Sequence, residues 1–199
     1  LQFGPGEDLD RYPRQLEQDL EVLRREGVDA VFVPPADSVY PDGFCSEVAV
    51  GSEAESMEGA VRPGHFVGVA TVVAKLFAVA RPTRAYFGRK DAQQVAVLRR
   101  MTRDLGFPIA LRECPTVREA DGLALSSRNA YLDAGQRRAA CALSRGLQAA
   151  CDLHASGERD AATLLRAART IIESESSLQL DYLELRREGD LSLLPDGPV

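Results

Sequence analysis

Two lysines serve the whole 199-residue chain beside 22 arginines, and one of them, Lys90, stands where it could act on a ligand. It falls in Tyr86-Phe87-Gly88-Arg89-Lys90-Asp91-Ala92-Gln93-Gln94, a β-rich run that ends in glycine and opens into polar residues. Backbone N–H groups at the start of a helix suit anionic oxygens, and a lysine adds a mobile point charge. This pattern fits a phosphate or carboxylate site. The simpler reading makes Asp91 a helix N-cap and Lys90 a solvated side chain.

The second candidate runs from Thr116 to Asn129 and places Ser126, Ser127 and Arg128 on a connection containing Gly122. Hydroxyl and guanidinium hydrogen bonds together can hold a polyphosphate. A turn with serine caps and a surface arginine competes with that reading. The segment Leu1 to Arg14 is neither a dinucleotide fingerprint nor a P-loop. Its Gly4-Pro5-Gly6 lacks the third glycine, and neither lysine precedes Ser or Thr. His65, in Arg62-Pro63-Gly64-His65-Phe66, marks a helix start and reads as a capping or packing residue, while His154 reads as surface. There is no Gly-x-Ser-x-Gly elbow.

Composition narrows the classes further. The residues are 45% hydrophobic and 27% charged, too apolar a mix for a disordered chain. The longest apolar stretches, Val67 to Ala74 and Leu76 to Ala80, are broken by Lys75 and too short to span a membrane. A net charge of −6 argues against general nucleic-acid binding. Cys45, Cys114, Cys141 and Cys151 form no Cys-x-x-Cys pair, so they are expected to be free, mostly buried thiols of a reducing cytoplasm.

The elements that must position these residues follow from periodicity. Leu16, Leu20 and Leu23 predict a helix over 13–26, closed by Gly27. Residues 29–34 read as a buried strand, 47–50 as a short one, and 35–63 otherwise as loop. A helix over 66–80 carries Phe66, Val69, Val73, Leu76 and Phe77 on one face; a strand over 84–88 follows. A helix over 91–105 with Val95, Leu98, Met101 and Leu105 precedes a strand over 107–114. Such alternation predicts a parallel sheet flanked by helices, which binds ligands beyond the carboxyl ends of its strands. After Pro115 come helices over 134–155 and 159–174, then a strand over 180–185, so a domain boundary is placed near residue 116.

Taken together, several blocks resemble the pantoate–β-alanine ligase (pantothenate synthetase) family. They are Gln2-Phe3-Gly4 with Glu7-Asp8-Leu9 and Tyr12-Pro13-Arg14, Arg62-Pro63-x-His65-Phe66-x-Gly68-Val69, Gly88-x-Lys90-Asp91-x-Gln93-Gln94, Thr116 to Asn129, and Asp181-Tyr182-Leu183-Glu184. The resemblance covers essentially the whole chain. It implies an α/β fold, a Rossmann-like nucleotidyl-transferase domain over 1–116 with a smaller α+β lid domain over 117–199, and a homodimer. It also implies an ATP-dependent condensation, with Mg²⁺ accompanying the nucleotide. The pantoate carboxylate attacks the α-phosphorus to give a pantoyl adenylate and pyrophosphate; the β-alanine amine then displaces AMP.

By the same resemblance Gly88, Arg89, Lys90, Asp91, Val117, Leu125, Ser126, Ser127 and Arg128 contact ATP. Of these, Lys90, Ser126, Ser127 and Arg128 carry the catalytic role. Gln2 and Gln94 are the pantoate-binding glutamines, whose neutral amides hydrogen-bond without titrating. Tyr12, Glu58, Arg62 and His65 line or brace the site. Arg89, Ala92 and Leu125 depart from the residues usual in the family. Two other readings stay open: a different adenylyl-transferring enzyme on this fold, and a non-catalytic nucleotide-binding remnant.

The family's Met-x-x-Leu-His-x-Gly-His motif, whose histidines contact the phosphates, has no counterpart in the 199 residues, and both ends are expected to be cut. The isolated 199-residue chain is therefore expected to be inactive or very weakly active. Steady-state assay of that chain beside a full-length family enzyme checks this, and equal turnover would overturn it.

Overall fold

The computed structural model describes residues 3–4 and 6–194. In chain order the helices and strands are α1 (Leu16–Arg25), α2 (Ala36–Val39), α3 (Glu58–Val61), α4 (His65–Ala80), β1 (Arg84–Gly88), α5 (Ala92–Asp104), β2 (Ala110–Cys114), α6 (Ala134–Ala155) and α7 (Ala161–Glu173). Short 3₁₀ turns lie at Asp8–Asp10, Ser52–Ala54, Arg89–Asp91 and Ser127–Tyr131.

A β-run needs a neighbour for its backbone groups, and β1 finds one in β2, parallel and in register from Arg84↔Ala110 to Gly88↔Cys114. Parallel pairing requires a crossover, which α5 supplies. Both strands alternate between exposed and half-buried residues; Ala85, Phe87 and Leu111 turn toward the helices while Tyr86 faces out. The core against them comes from Phe66, Val69, Ala70, Ala74 and Phe77 of α4 and Val97, Leu98 and Met101 of α5. Phe77 packs edge-on against Phe87 at 6.5 Å and Phe107 at 5.7 Å between ring centres. Fully burying each such side chain stabilises the fold by about 1.5–3 kcal/mol. The layout delivers the Arg89–Asp91 turn to the carboxyl end of β1, where the candidate phosphate loop was expected.

The chain after β2 closes a hairpin through an Arg118↔Ala124 bridge, turned at Gly122, and then forms the helix pair α6 and α7. Asp133 caps α6 by accepting the Gly135 and Gln136 N–H bonds at 2.7 and 2.8 Å, while Gln136 Oε1 accepts from Asp133 N–H at 3.0 Å. Gly146 lets the two helices touch: a Cβ there would lie 2.8 Å from the Ala168 carbonyl oxygen.

Three predicted strands do not form. Residues 29–34 are irregular, and Val31, Phe32 and Val33 are exposed, because no neighbouring strand pairs with them among the described residues. Residues 47–50 are held differently, with the Val48 N–H donating to Thr71 Oγ1 at 2.9 Å in place of a strand ladder. Residues 180–185 also lack a ladder; the only pairing in this region is an isolated Arg186↔Leu193 bridge among the described residues. Leu105 is exposed beyond the end of α5. Cys141 is buried, but Cys45, Cys114 and Cys151 are exposed thiols, so the expectation of mostly buried cysteines fails. Their positions in a loop, at a strand end and on the outer side of α6 leave them against water. Among the described residues no helix is long and apolar enough to cross a membrane.

One turn matters for the site. The chain between Gly51 and Val61 folds so tightly that a Cβ on Gly59 would lie 1.8 Å from the Ala54 carbonyl oxygen. Neither backbone can yield cheaply. Gly59→Ala is expected to destabilise the chain by about 1–3 kcal/mol, read from the urea midpoint. An unchanged midpoint would show that the turn relaxes freely.

Candidate active site

Lys90 and Asp91 lie in the turn after β1, and Gln94 lies in the first turn of α5. Opposite them come Ser126, Ser127 and Arg128, whose 3₁₀ turn is started by Ser126 Oγ accepting the Arg128 N–H. Arg62 and His65 enter from the start of α4 and the turn before it. These side chains bound two contiguous hollows of about 510 and 300 Å³ that share Arg62, His65, Lys90, Asp91, Gln94 and Arg128. The larger reaches Glu58, Tyr182 and Arg186; the smaller reaches Tyr12, Leu125, Ser126 and Ser127.

Arginines organise the walls. Arg62 donates to Glu7 through Nε at 2.7 Å and Nη2 at 2.5 Å, and through Nη1 to Glu58 Oε1 at 3.1 Å. Its Nη1 also lies 3.3 Å from His65 Nε2. Hydrogen bonding to Arg62 holds the Glu7 carboxyl below the usual carboxylate range despite partial burial. The same partners raise the guanidinium further. Arg128 grips Asp8 in the same two-pronged way, through Nε at 2.6 Å and Nη2 at 2.8 Å. Ser127 Oγ donates to the Tyr12 hydroxyl at 3.1 Å. Tyr182 donates to Glu58 Oε2 at 3.2 Å, and desolvation, with the Glu58 charge beside it, pushes its hydroxyl up to about 12.

Behind the wall, Gln93 performs a structural task. Its buried amide donates to the Glu53 and Ser56 carbonyls at 3.0 and 2.7 Å and accepts the Glu58 N–H at 3.0 Å. All three bonds tie the 53–58 turn to α5. Met57, at φ 49°, is held in the left-handed region just before Glu58.

Of the residues singled out from sequence, Tyr12, Glu58, Arg62, His65, Lys90, Asp91, Gln94, Leu125, Ser126, Ser127 and Arg128 gather at this cleft. Gly88, Arg89 and Val117 do not line it. Arg89 turns to Glu113 of β2, its Nε donating at 3.3 Å. Val117 is exposed, and its carbonyl accepts the Leu125 N–H at 2.9 Å, bracing the serine segment from behind. Gln2 lies outside the described residues. Sequence reasoning gave no role to Glu7, Asp8, Gln93 or Tyr182. The signal for the first two was present, two acids beside a glycine turn, but their arginine partners are 55 and 120 residues away.

Among the described residues no three carboxylate, imidazole or thiol groups gather as a metal-binding set. The cleft's carboxylates are already engaged: Glu7 and Glu58 with Arg62, Asp8 with Arg128, and Asp91 with Lys90 at 3.2 Å. Mg²⁺ commonly keeps several waters and is held by one or two carboxylates together with substrate phosphates.

Comparison with known proteins gives a consistent pattern. The family model described as pantoate-beta-alanine ligase matches residues 1–196. A pantothenate synthetase of Roseiflexus sp. (strain RS-1) is 53% identical over 190 residues, which are 96% of this chain and 68% of that protein. The crystal structure of pantothenate synthetase from Thermus thermophilus superposes with a TM-score of 0.94 at 50% identity, over 98% of this chain and 70% of that one. A pantoate-beta-alanine ligase from Francisella tularensis, complexed with beta-gamma ATP and beta-alanine, matches at TM-score 0.71 and 33% identity. That match covers 85% of this chain and 63% of the Francisella one.

The Glu7–Arg62 pair predicts an acid limit. A carboxyl held below its ordinary value of 4.5 adds stability above that pH and loses it as pH falls through the folded-state value. Glu7→Gln is expected to cost about 1–2 kcal/mol at pH 7, with the gap to the unmodified chain narrowing as pH falls below 4.5 and through the lower folded-state value. Urea denaturation at about pH 7 and about pH 3.5 measures this; a gap equal at both would reject the ion pair as its cause.

Proposed function

The chain belongs to the pantoate–β-alanine ligase family, whose activity is ATP-dependent, AMP-forming ligation, and from that premise we propose how its residues divide the reaction. One observation carries the reading. Lys90 and Gln94, on one side of β1 and α5, meet Ser126, Ser127 and Arg128 across a single cleft that also holds His65.

A carboxylate is a poor electrophile, and adenylation supplies it with a leaving group. Two anions must therefore be brought together, and charge developing around the α-phosphorus must be spread. Lys90 suits the phosphates because its side chain, paired with Asp91, is exposed and carries a compact point charge on a flexible stem. Ser126 and Ser127 supply hydroxyl donors, and Arg128 supplies a planar guanidinium. Asp91 and Leu125 line the cleft beside the nucleotide, with Gly88 and Val117 behind them. Arg89, committed to Glu113, stands apart from the phosphates.

Gln94 is half-buried at the cleft and takes the pantoate hydroxyls or carboxylate through its amide; Gln2 is its proposed partner. Tyr12, Glu58, Arg62 and His65 brace the walls. The Francisella relative binds ATP analogue and β-alanine together, which supports simultaneous occupancy of such a cleft here. Mg²⁺ would stay with the nucleotide phosphates, and no residue is assigned to it. The ATP and pantoate unit over 1–116, the lid over 117–199, the homodimer and the cytoplasmic setting are carried over with the family. The net charge of −6 agrees with small-molecule substrates in preference to nucleic acid.

The test is ATP–pyrophosphate exchange with pantoate against other carboxylic acids, read with these residues carried in a full-length family enzyme. Pantoate is expected to support exchange and other acids not. Lys90→Ala is expected to slow exchange about 10²- to 10³-fold, as removal of a transition-state charge partner does. Gln94→Ala is expected to raise the pantoate KM about tenfold while leaving the ATP KM in place. Equal exchange with unrelated acids would assign the cleft to a different adenylyl transfer.

A further inference from the structure

We propose that Asp8 is a positioning residue for Arg128, holding its guanidinium in the orientation that meets the nucleotide phosphates. The inference rests on the reading of Arg128 as a phosphate contact. It adds a residue to which sequence reasoning gave no role.

The geometry is specific. Asp8 takes the Nε and one Nη2 hydrogen of Arg128, the side edge of the planar fork. That leaves the opposite edge, formed by Nη1 and the second Nη2 hydrogen, for another anion. The guanidinium is further confined by two rings, Tyr12 at 5.2 Å and Phe3 at 5.8 Å from its central carbon. Tyr12 accepts from Ser127, and Tyr131 donates to the Arg11 carbonyl at 2.7 Å, so the loop over 6–12 lies along the whole 126–131 turn.

Two effects of Asp8 oppose each other. Its negative charge subtracts from the attraction between Arg128 and phosphate. Its two hydrogen bonds remove the rotamer freedom that a long arginine would otherwise lose on binding. The Arg128 side chain is 47% exposed, so water screens the charge effect while the bidentate geometry persists. Orientation therefore outweighs charge, and Asp8 strengthens nucleotide binding.

The measurement is the ATP dissociation constant of the 199-residue chain by calorimetry, which needs no turnover, for Asp8→Ala, Asp8→Asn, Asp8→Glu, Arg128→Ala and the Asp8→Ala/Arg128→Ala pair. Asp8→Ala is expected to weaken ATP about tenfold, Asp8→Asn by less, and Asp8→Glu to recover part of the loss. The double variant is expected to bind no worse than Arg128→Ala alone, because Asp8 acts only through Arg128. Losses that add would overturn the proposal, since Asp8 would then act independently. Tighter binding by Asp8→Asn would overturn it too, showing competition for the guanidinium. If Arg128→Ala weakens ATP and neither Asp8→Ala nor Asp8→Asn does, the proposal alone fails. If Arg128→Ala leaves ATP affinity unchanged, the reading of Arg128 fails and takes this one with it.

Discussion

Arg62 is the side chain on which the cleft depends. Its N–H donors are spread over Glu7 from the N-terminal loop and Glu58 from the turn before α4, with His65 alongside. Glu58 extends the network to Tyr182, 124 residues further along. Three segments with no local reason to meet are joined at one guanidinium. At about a quarter exposure the pair with Glu7 is desolvated enough to be stronger than a surface ion pair and wet enough to avoid the full cost of burial.

The network has an electrostatic consequence for the reaction. Glu58 and Asp91 line the cleft, and Glu7 and Asp8 hold Arg62 and Arg128, two of its cationic walls. Each is matched by an arginine or lysine within 3.2 Å. The acids thus orient the cations and leave little uncompensated negative charge at the cleft. Beneath them, Gln93 and Gly59 hold the turn that presents Glu58, and the apolar contact of α4 with α5 holds the turn's two anchors together.

The helix over 134–155 and the strand over 84–88 were legible in the residues, because periodicity is a local property, whereas the convergence of Lys90 with the serine–arginine segment came only through the family resemblance. The strands expected at 29–34 and 180–185 show the opposite case. Alternating or apolar runs signal a capacity to pair, but pairing needs a second strand, and in each place the described residues offer none. The sequence leaves Arg89 between a phosphate contact implied by the resemblance and a solvent-facing side chain; the fold places Glu113 of β2 within its reach.

The sequence by itself determined the long helices, the paired strand at 84–88, the family, and which polar side chains are chemically able to serve an adenylyl transfer. Those follow from side-chain chemistry and short-range spacing. The tertiary structure alone decided which carboxylate each arginine takes. Arg62 could have chosen among many acids in a chain with 30 of them, and Arg128 likewise. Coulomb attraction is nearly indifferent to sequence distance, so the choice falls to whichever carboxylates the packed core brings within about 3 Å in a two-pronged geometry. Glu7 and Asp8 are those carboxylates, and through them the N-terminal loop is joined to the cleft formed by distant segments of the chain.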